Sequence, residues 1–245
     1  MKNNLISVII PVYNHAFRLK ESLRSLAKQT YKDLEVIIVD DGSTDNFDEV
    51  FRELKNDSEI AKLNIILIKQ NNKGAPAARN NGFEKSKGEY VIFWDADTIG
   101  QPEMLEKMIK ALILNAGVYY AYSHYKYGWK IIKSRNFNEE ALKQINYIDT
   151  TSLLRRAAFF PFDESLKRFQ DWDLWLTLLE NNKTGIFIPE VLYTKQILGR
   201  RGISGWLPKF IYRLPIKLRA VKEYEKALAI VQAKHGLGRQ VKKPA

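Results

Sequence analysis

Four short apolar runs rich in β-branched residues recur through the first hundred residues, at Leu5 to Val12, Leu34 to Val39, Asn64 to Ile68 and Tyr90 to Trp94. Between them, apolar residues fall at three- and four-residue spacing over about Phe17 to Lys28, Phe47 to Leu54 and Ala75 to Ser86, which is a helical period. Strands that are apolar at nearly every position, alternating with helices, predict an α/β fold around a parallel sheet covered on both faces. The loop leaving each predicted strand is polar: Tyr13-Asn14, Asp40-Asp41-Gly42-Ser43, Asn71-Asn72-Lys73-Gly74 and Asp95-Ala96-Asp97. In an open parallel sheet, ligands bind outside the carboxyl ends of the strands, so these loops predict one binding edge. A helix over about Pro102 to Leu114 follows, then aromatic-rich strands at Val118 to Tyr125 and Trp129 to Arg135, a helix near Asp171 to Glu180 and a strand near Gly185 to Ile188. No repeat or linker interrupts the chain before about Leu198. Residues 1–198 are therefore expected to form one domain, in which 1–98 begin a site and 99–198 complete it.

Composition narrows the class. With 45% hydrophobic and 27% charged residues the chain of 245 residues has the balance of a folded protein. It has no Cys, which excludes disulfides, thiolate metal sites and Cys nucleophiles and fits a reducing compartment. The longest uncharged run, Ala111 to Tyr125, is shorter than the roughly 20 apolar residues that span a bilayer. The first residues run straight into a strand without a small-residue cleavage site, so no export signal is expected.

The net charge of +11 is uneven. Gly199 to Ala245 hold 12 Lys and Arg against 2 acidic residues, leaving 27 against 26 in the preceding stretch. The chain therefore reads as a near-neutral body with a basic appendage over 199–245. In that appendage Leu207, Phe210, Ile211, Leu214, Leu218 and Val221 share one helical stripe beside Lys209, Arg213 and Lys217, with Trp206 and Tyr212 as aromatics. Pro215 divides it into two helical pieces. Two readings follow: an amphipathic helical segment over 206–234 lying on an anionic membrane, or a helix packing its stripe on the body. Binding of nucleic acid by the tail would explain the charge but leave the acidic loops without a purpose, so no nucleic-acid partner is expected.

The chain has no G-x-G-x-x-G and no G-x-x-x-x-G-K-[ST], so phosphates would not be held in a glycine cradle. Asp95-Ala96-Asp97 instead offers hard oxygen ligands for Mn²⁺ or Mg²⁺, which bind through one or two carboxylates plus substrate phosphates. The 12 Asp residues would give roughly 0.6 D-x-D triplets by chance, and a second stands at Asp171-Trp172-Asp173. Position at a strand end gives the first its weight.

Four segments carry a family resemblance: SVIIPVYN at Ser7 to Asn14, QTYKDLEVIIVDDGSTD at Gln29 to Asp45, NKGAPAARNNGFEKSKGEYVIFWDAD at Asn72 to Asp97, and DESLKRFQDWDLWLTLLE at Asp163 to Glu180. In order and spacing they resemble the family 2 glycosyltransferases of GT-A fold, over about residues 5–197. The resemblance implies a Rossmann-like, mostly parallel central sheet flanked by helices, and inverting transfer from a nucleotide-sugar to a glycan or lipid-linked acceptor. A catalytically silent sugar-nucleotide-binding protein is the alternative. By the same resemblance Pro11 and Tyr13 contact the nucleobase, and Asp41 accepts a base N–H, which fits uracil or thymine and so favours a UDP-sugar. Asn72, Gly74, Arg79 and Asn80 match the surroundings of the diphosphate and base. Asp97 matches the metal-binding carboxylate, and Asp95 a ribose or metal contact. Asp171 matches the catalytic base. Asp40 is open between a nucleotide contact and an Asx-turn.

Asp173, about 200° further round the helix, cannot share a pocket with Asp171 and is expected to stabilise the helix N-terminus. Trp172 and Trp175 are expected either to line the donor or acceptor side or to sit in the core. Arg200 or Arg201 could clamp the diphosphate. The chain departs from the family at Gln170, where Glu is common, and at Phe160-Pro161, where Gly-Gly is common. The tail and the family analogy together imply a peripheral enzyme on the cytoplasmic face of a membrane.

Overall fold

The computed structural model describes residues 4–197 and 219–238. Its first four strands, β1 (Ile6–Val12), β2 (Leu34–Asp40), β3 (Ile65–Lys69) and β4 (Tyr90–Phe93), each begin and end within one residue of the apolar run that predicts them. They lie parallel in the order β3-β2-β1-β4. Helices α1 (Leu19–Ala27), α2 (Phe47–Lys55) and α3 (Ala75–Lys85) are the crossovers.

Successive side chains of a strand point to opposite faces, and here both faces are buried. Ile6, Val8 and Ile10 join Leu19, Leu23 and Leu26 of α1 and Phe47, Phe51 and Leu54 of α2 in one layer, whereas Ile9, Ile37 and Val39 meet Ala78 of α3 in the other. Gly82 lets α3 lie close on the sheet: a Cβ there would stand 2.5 Å from Ile9 Cγ2. That close approach sets the position of Arg79, one turn earlier on the same helix.

The second half adds β5 (Thr98–Gly100), α4 (Met104–Leu114), β6 (Tyr120–Tyr127), β7 (Lys130–Ile132), α5 (Glu139–Gln144), β8 (Leu153–Arg155), α6 (Gln170–Glu180) and β9 (Gly185–Lys195). The sheet continues β4-β8-β6-β9-β5, with β7 paired to β6. β8 runs antiparallel to β4 and β6, and β5 antiparallel to β9, so the sheet is parallel through its first four strands and mixed beyond them. β9 does not stop at Ile188, as its apolar run suggests. Pro189 and Glu190 form a bulge opposite the step from Ser123 to His124, and pairing resumes at Val191. The continuation carries Tyr193 and Lys195 to the binding edge.

Of the basic appendage, α7 (Arg219–Lys234) is described; Arg200, Arg201, Pro215 and the rest of 206–218 lie outside the described residues. In α7 the packing alternative holds. Val221, Tyr224, Ala227 and Val231 are buried, and Val231 joins the core layer of Trp172, Leu174 and Trp175. The helix docks on α6 through polar ties as well: Asp173 accepts from Lys234 and from His235 Nε2, each at 2.9 Å, and His235 Nδ1 meets Glu180 at 2.8 Å. Asp173 is thus a buried anchor for α7 in addition to an acid in the first turn of α6.

Burial disfavours the charged form of His235, whose side chain is 2% exposed, but its bonds to Asp173 and Glu180 outweigh burial and raise its pKa. A folded-state pKa above the unfolded value stabilises docking below the unfolded pKa, and this contribution is lost as pH rises through the folded value. Protection of α7 amides against hydrogen exchange should therefore decline as pH rises above the ordinary imidazole value of about 6.5, after correction for intrinsic exchange. His235→Gln should flatten that decline; an unchanged profile would exclude His235 as its source.

Candidate active site

The polar loops meet along the carboxyl edge of β1 to β4. Tyr13, 45% exposed, follows β1, and Pro11 lies within it opposite Val39. Asn14, at φ +55°, accepts through Oδ1 from the backbone N–H groups of Thr44 and Asp45 at 2.7 and 3.2 Å, which fixes the loop after β2 against the loop after β1. Asp40 accepts from Ser43 N–H, three residues on, at 2.9 Å and so holds its own loop. Asp41 is buried and holds the next loop: it accepts from Gln70 Nε2, Lys73 N–H and Gly74 N–H, all at 2.8 Å. Gly74 has φ +93°, in the left-handed region, and starts α3. Asn72 is exposed beside it.

The turn after β4 has a rigid back. Trp94 is fully buried, and its indole N–H donates to Ser22 Oγ at 3.0 Å and to the Thr98 carbonyl at 3.1 Å, so the segment bearing Asp95 and Asp97 is clamped at both ends. Asp95 accepts from Arg79 at 3.0 Å and from Lys195 at 2.9 Å, and Asp97 accepts from Arg18 at 2.9 Å. Lys195 also reaches Asp149 at 2.8 Å, whose other oxygen accepts from Tyr193 Oη and from Thr151 N–H, each at 2.9 Å. Tyr125 stacks on Tyr193 with ring centroids 5.2 Å apart, and Lys195 lies 5.7 Å from the centre of the Tyr125 ring.

Arg79 joins the halves of the site. One arm bonds Asp95 and the other donates to Gln170 Oε1 at 2.9 Å, at the start of α6. Its buried Nε has no hydrogen-bond partner among the described residues. Asp171, the next residue, accepts from Asn146 Nδ2 at 2.8 Å and from the Trp172 N–H at 2.9 Å. Asn80 turns away from this junction: its amide donates to the Phe162 carbonyl and accepts from the Phe162 N–H at 2.9 and 2.8 Å, holding the loop that contains Phe160-Pro161. Trp172 and Trp175 are core residues, buried with their indole N–H groups bonded to the Leu142 and Ile148 carbonyls.

The electrostatics separate the carboxylates. Burial favours the neutral acid at Asp95, but Lys195 and Arg79 outweigh it and hold that carboxyl well below the usual range. Burial and the charge of Asp95 push Asp97 up, against Lys195 and Arg18. Burial, then the charge of Asp149, push Asp171 up, only partly offset by the Trp172 N–H, Lys195 and Asn146. Asp171, with a raised affinity for protons, and Asp95, firmly ionised between two cations, thus differ in the way carboxylates do where one accepts a proton and others organise charge.

Backbone strain marks the same spot. Phe169, the residue before Gln170, has φ +61°, in the left-handed region that a bulky side chain rarely occupies. Tyr224 of α7 packs edge-on against its ring with centroids 5.0 Å apart. The tail helix thus supports the turn that presents Asp171.

A model of glycosyl transferase family 2 matches residues 7–169 of this sequence. The chain belongs to glycosyl transferase family 2. An uncharacterized glycosyltransferase of Methanocaldococcus jannaschii is 30% identical over 219 residues, spanning 82% of this chain and 73% of the relative. The Escherichia coli UDP-Glc:α-D-GlcNAc-diphosphoundecaprenol β-1,3-glucosyltransferase WfgD is 28% identical over 212 residues, 83% of this chain and 81% of the relative. Other relatives are far longer: the chain spans 32% of an uncharacterized glycosyltransferase of Rickettsia conorii, at 29% identity over 76% of this chain.

Among solved structures, Staphylococcus aureus TarS with UDP-GlcNAc superposes with a TM-score of 0.70 at 22% identity, over 96% of this chain and 73% of the other. The mannosyltransferase PcManGT of Pyrobaculum calidifontis, with GDP-Man and Mn²⁺, gives 0.67 at 18% identity, over 97% and 70%. These two likenesses establish the GT-A fold of this family 2 chain.

Proposed function

We propose that this chain is an inverting glycosyltransferase that moves a hexosyl or N-acetylhexosaminyl group from a nucleotide-sugar, a UDP-sugar foremost, to a hydroxyl of a glycan or lipid-linked acceptor in the synthesis of a cell-surface polysaccharide or glycoconjugate. The observation that carries this reading is the bridge Asp95–Arg79–Gln170, which joins the nucleotide half to the helix start bearing Asp171. Tyr13 and Pro11 flank the base, with Asn72 and Gly74 beside it. Asp41 already accepts three hydrogen bonds, and a carboxylate has about four lone-pair sites, so one is left for a uracil or thymine N–H. Arg200 or Arg201, outside the described residues, completes the diphosphate side.

Asp171 removes the proton of the acceptor hydroxyl as its oxygen bonds to the anomeric carbon. The bond from that carbon to the diphosphate oxygen breaks, and its electron pair leaves with the nucleoside diphosphate, giving inversion. Asp97 keeps a 24%-exposed, hard carboxylate at the edge, and no group of three or more His, Cys, Asp or Glu among the described residues would cage a metal. That donor set fits Mn²⁺ or Mg²⁺ held by Asp97 jointly with substrate phosphates, with Asp95 alongside. When bound, such an ion supplies positive charge that stabilises the departing diphosphate. Asp97→Ala should abolish metal-dependent nucleotide binding in calorimetry with and without Mn²⁺; undiminished metal dependence would remove Asp97 from this role.

The E. coli relative's name describes a lipid-diphosphate acceptor, and no helix among the described residues is long and apolar enough to cross a membrane. The acceptor in that relative's name supports a peripheral enzyme, which we place on the cytoplasmic face, with 206–218 as the remaining candidate membrane segment of the tail and no role in binding nucleic acid.

A further inference from the structure

The β6–β7 hairpin leaves large apolar side chains in solvent. Its two-residue turn, Gly128-Trp129, has Gly128 at φ +58° and puts Trp129 at the tip, 90% exposed. Tyr127, Ile131 and Ile197 beside it are each more than a third exposed. Ile197 abuts the turn, since a Cβ on Gly128 would stand 2.7 Å from its Cδ1. Scattered exposed apolar residues are ordinary, but a cluster of them at the tip of a projecting ribbon marks an interaction site.

Along the hairpin itself the charge has one sign, while Glu21 accepts from Gln196, next to Ile197. Lys126, Lys130, Lys133 and Arg135 are all exposed, and the sequence from Lys107 to Asn138 contains no Asp or Glu. An aromatic and aliphatic tip on a hairpin that bears only basic charge complements an anionic lipid surface, where Trp and Tyr sit at headgroup level and basic side chains meet the negative leaflet. The hairpin also borders the catalytic mouth, because Tyr127 pairs with Lys195 across β6 and β9.

We propose that the β6–β7 hairpin, through Trp129 and Ile131 and the basic residues around them, docks this domain on an anionic bilayer and brings the mouth of its site to the lipid surface. This rests on the reading of a membrane-peripheral transferase and moves the contact from the tail to the catalytic body.

The chain has five Trp. Trp94, Trp172 and Trp175 are buried, so in a full-length Trp206→Phe protein Trp129 reports on the hairpin. With vesicles of phosphatidylglycerol and phosphatidylcholine its emission should shift to the blue and be quenched by brominated lipid, with little change on pure phosphatidylcholine. Trp129→Ser with Ile131→Ser should lower vesicle affinity at least about tenfold in flotation, with the thermal midpoint and donor hydrolysis unchanged. A matched variant with Lys209, Arg213 and Lys217 changed to Gln separates the two readings. Vesicle binding lost only in that variant would overturn the hairpin and keep the peripheral reading, whereas no vesicle binding in any form would overturn both. Self-association abolished by Trp129→Ser, without vesicle binding, would assign the hairpin to a protein interface and also overturn the proposal.

Discussion

Asp171→Asn should reduce turnover by about 10²–10⁴-fold, the usual contribution of a positioned base, while nucleotide binding persists. Two further expectations distinguish a base from a structural acid. Burial and Asp149 raise the pKa of Asp171, so the ionised form is disfavoured in the folded state, and the substitution should leave stability unchanged or increase it. For the same reason the acid limb of kcat/KM should lie above the ordinary carboxylate value of about 4, and the limb should disappear in the variant. Turnover that survives Asp171→Asn, or an acid limb that stays in place, would remove Asp171 from the mechanism.

Lys195→Met should have the largest effect on stability. The ammonium, with a side chain 12% exposed, lies 2.9 Å from Asp95 and 2.8 Å from Asp149. Removing it leaves the buried Asp149 without its cation and Asp95 with Arg79 alone, and breaking a buried pair from one side costs about 3–5 kcal/mol. Denaturant unfolding should show that loss, and donor turnover should fall with it, because Asp95 holds Arg79 and Arg79 holds the start of α6. Adding Asp149→Asn to Lys195→Met should recover part of the stability by removing one uncompensated charge. A loss below about 1 kcal/mol for the single change would show that the lysine is replaceable by solvent.

These residues also show what the sequence discloses and what it withholds. The parallel strands and α1 to α4 are legible because strands buried on both faces must be apolar almost continuously and helices must repeat every three or four residues. The acidic and glycine loops are legible as a binding edge for the same reason, since a parallel sheet sends one end of every strand to the same side. Asp95, Asp97, Arg79 and Asp171 are picked out by ordered motifs, whereas the bond from Arg79 to Gln170 across the site is visible only in the structure.

Lys195, Asp149 and Arg18 carry no such signal. Lys195 meets Asp95 across 100 residues and Arg18 meets Asp97 across 79, and single-segment periodicity contains nothing about such pairs. The strand that delivers Lys195 reads as ending at Ile188 because Pro189 resembles a terminator, where the fold uses it in a bulge. The short β8 and α5 are set by pairing and by the Asn138 cap, which accepts from Ala141 N–H at 2.8 Å, and not by a long apolar repeat. Asp173 illustrates the converse: its place in the first turn of α6 is legible, but its bonds to Lys234 and His235 depend on where the tail returns.

Metal-dependent use of a uracil or thymine nucleotide-sugar can be measured with a panel of UDP-, dTDP- and GDP-sugars offered with and without Mn²⁺, following release of the nucleoside diphosphate. Release from UDP- or dTDP-sugars should require the metal and be lost in Asp97→Ala. Preference for GDP-sugars, or equal release without any divalent ion, would contradict the proposed function.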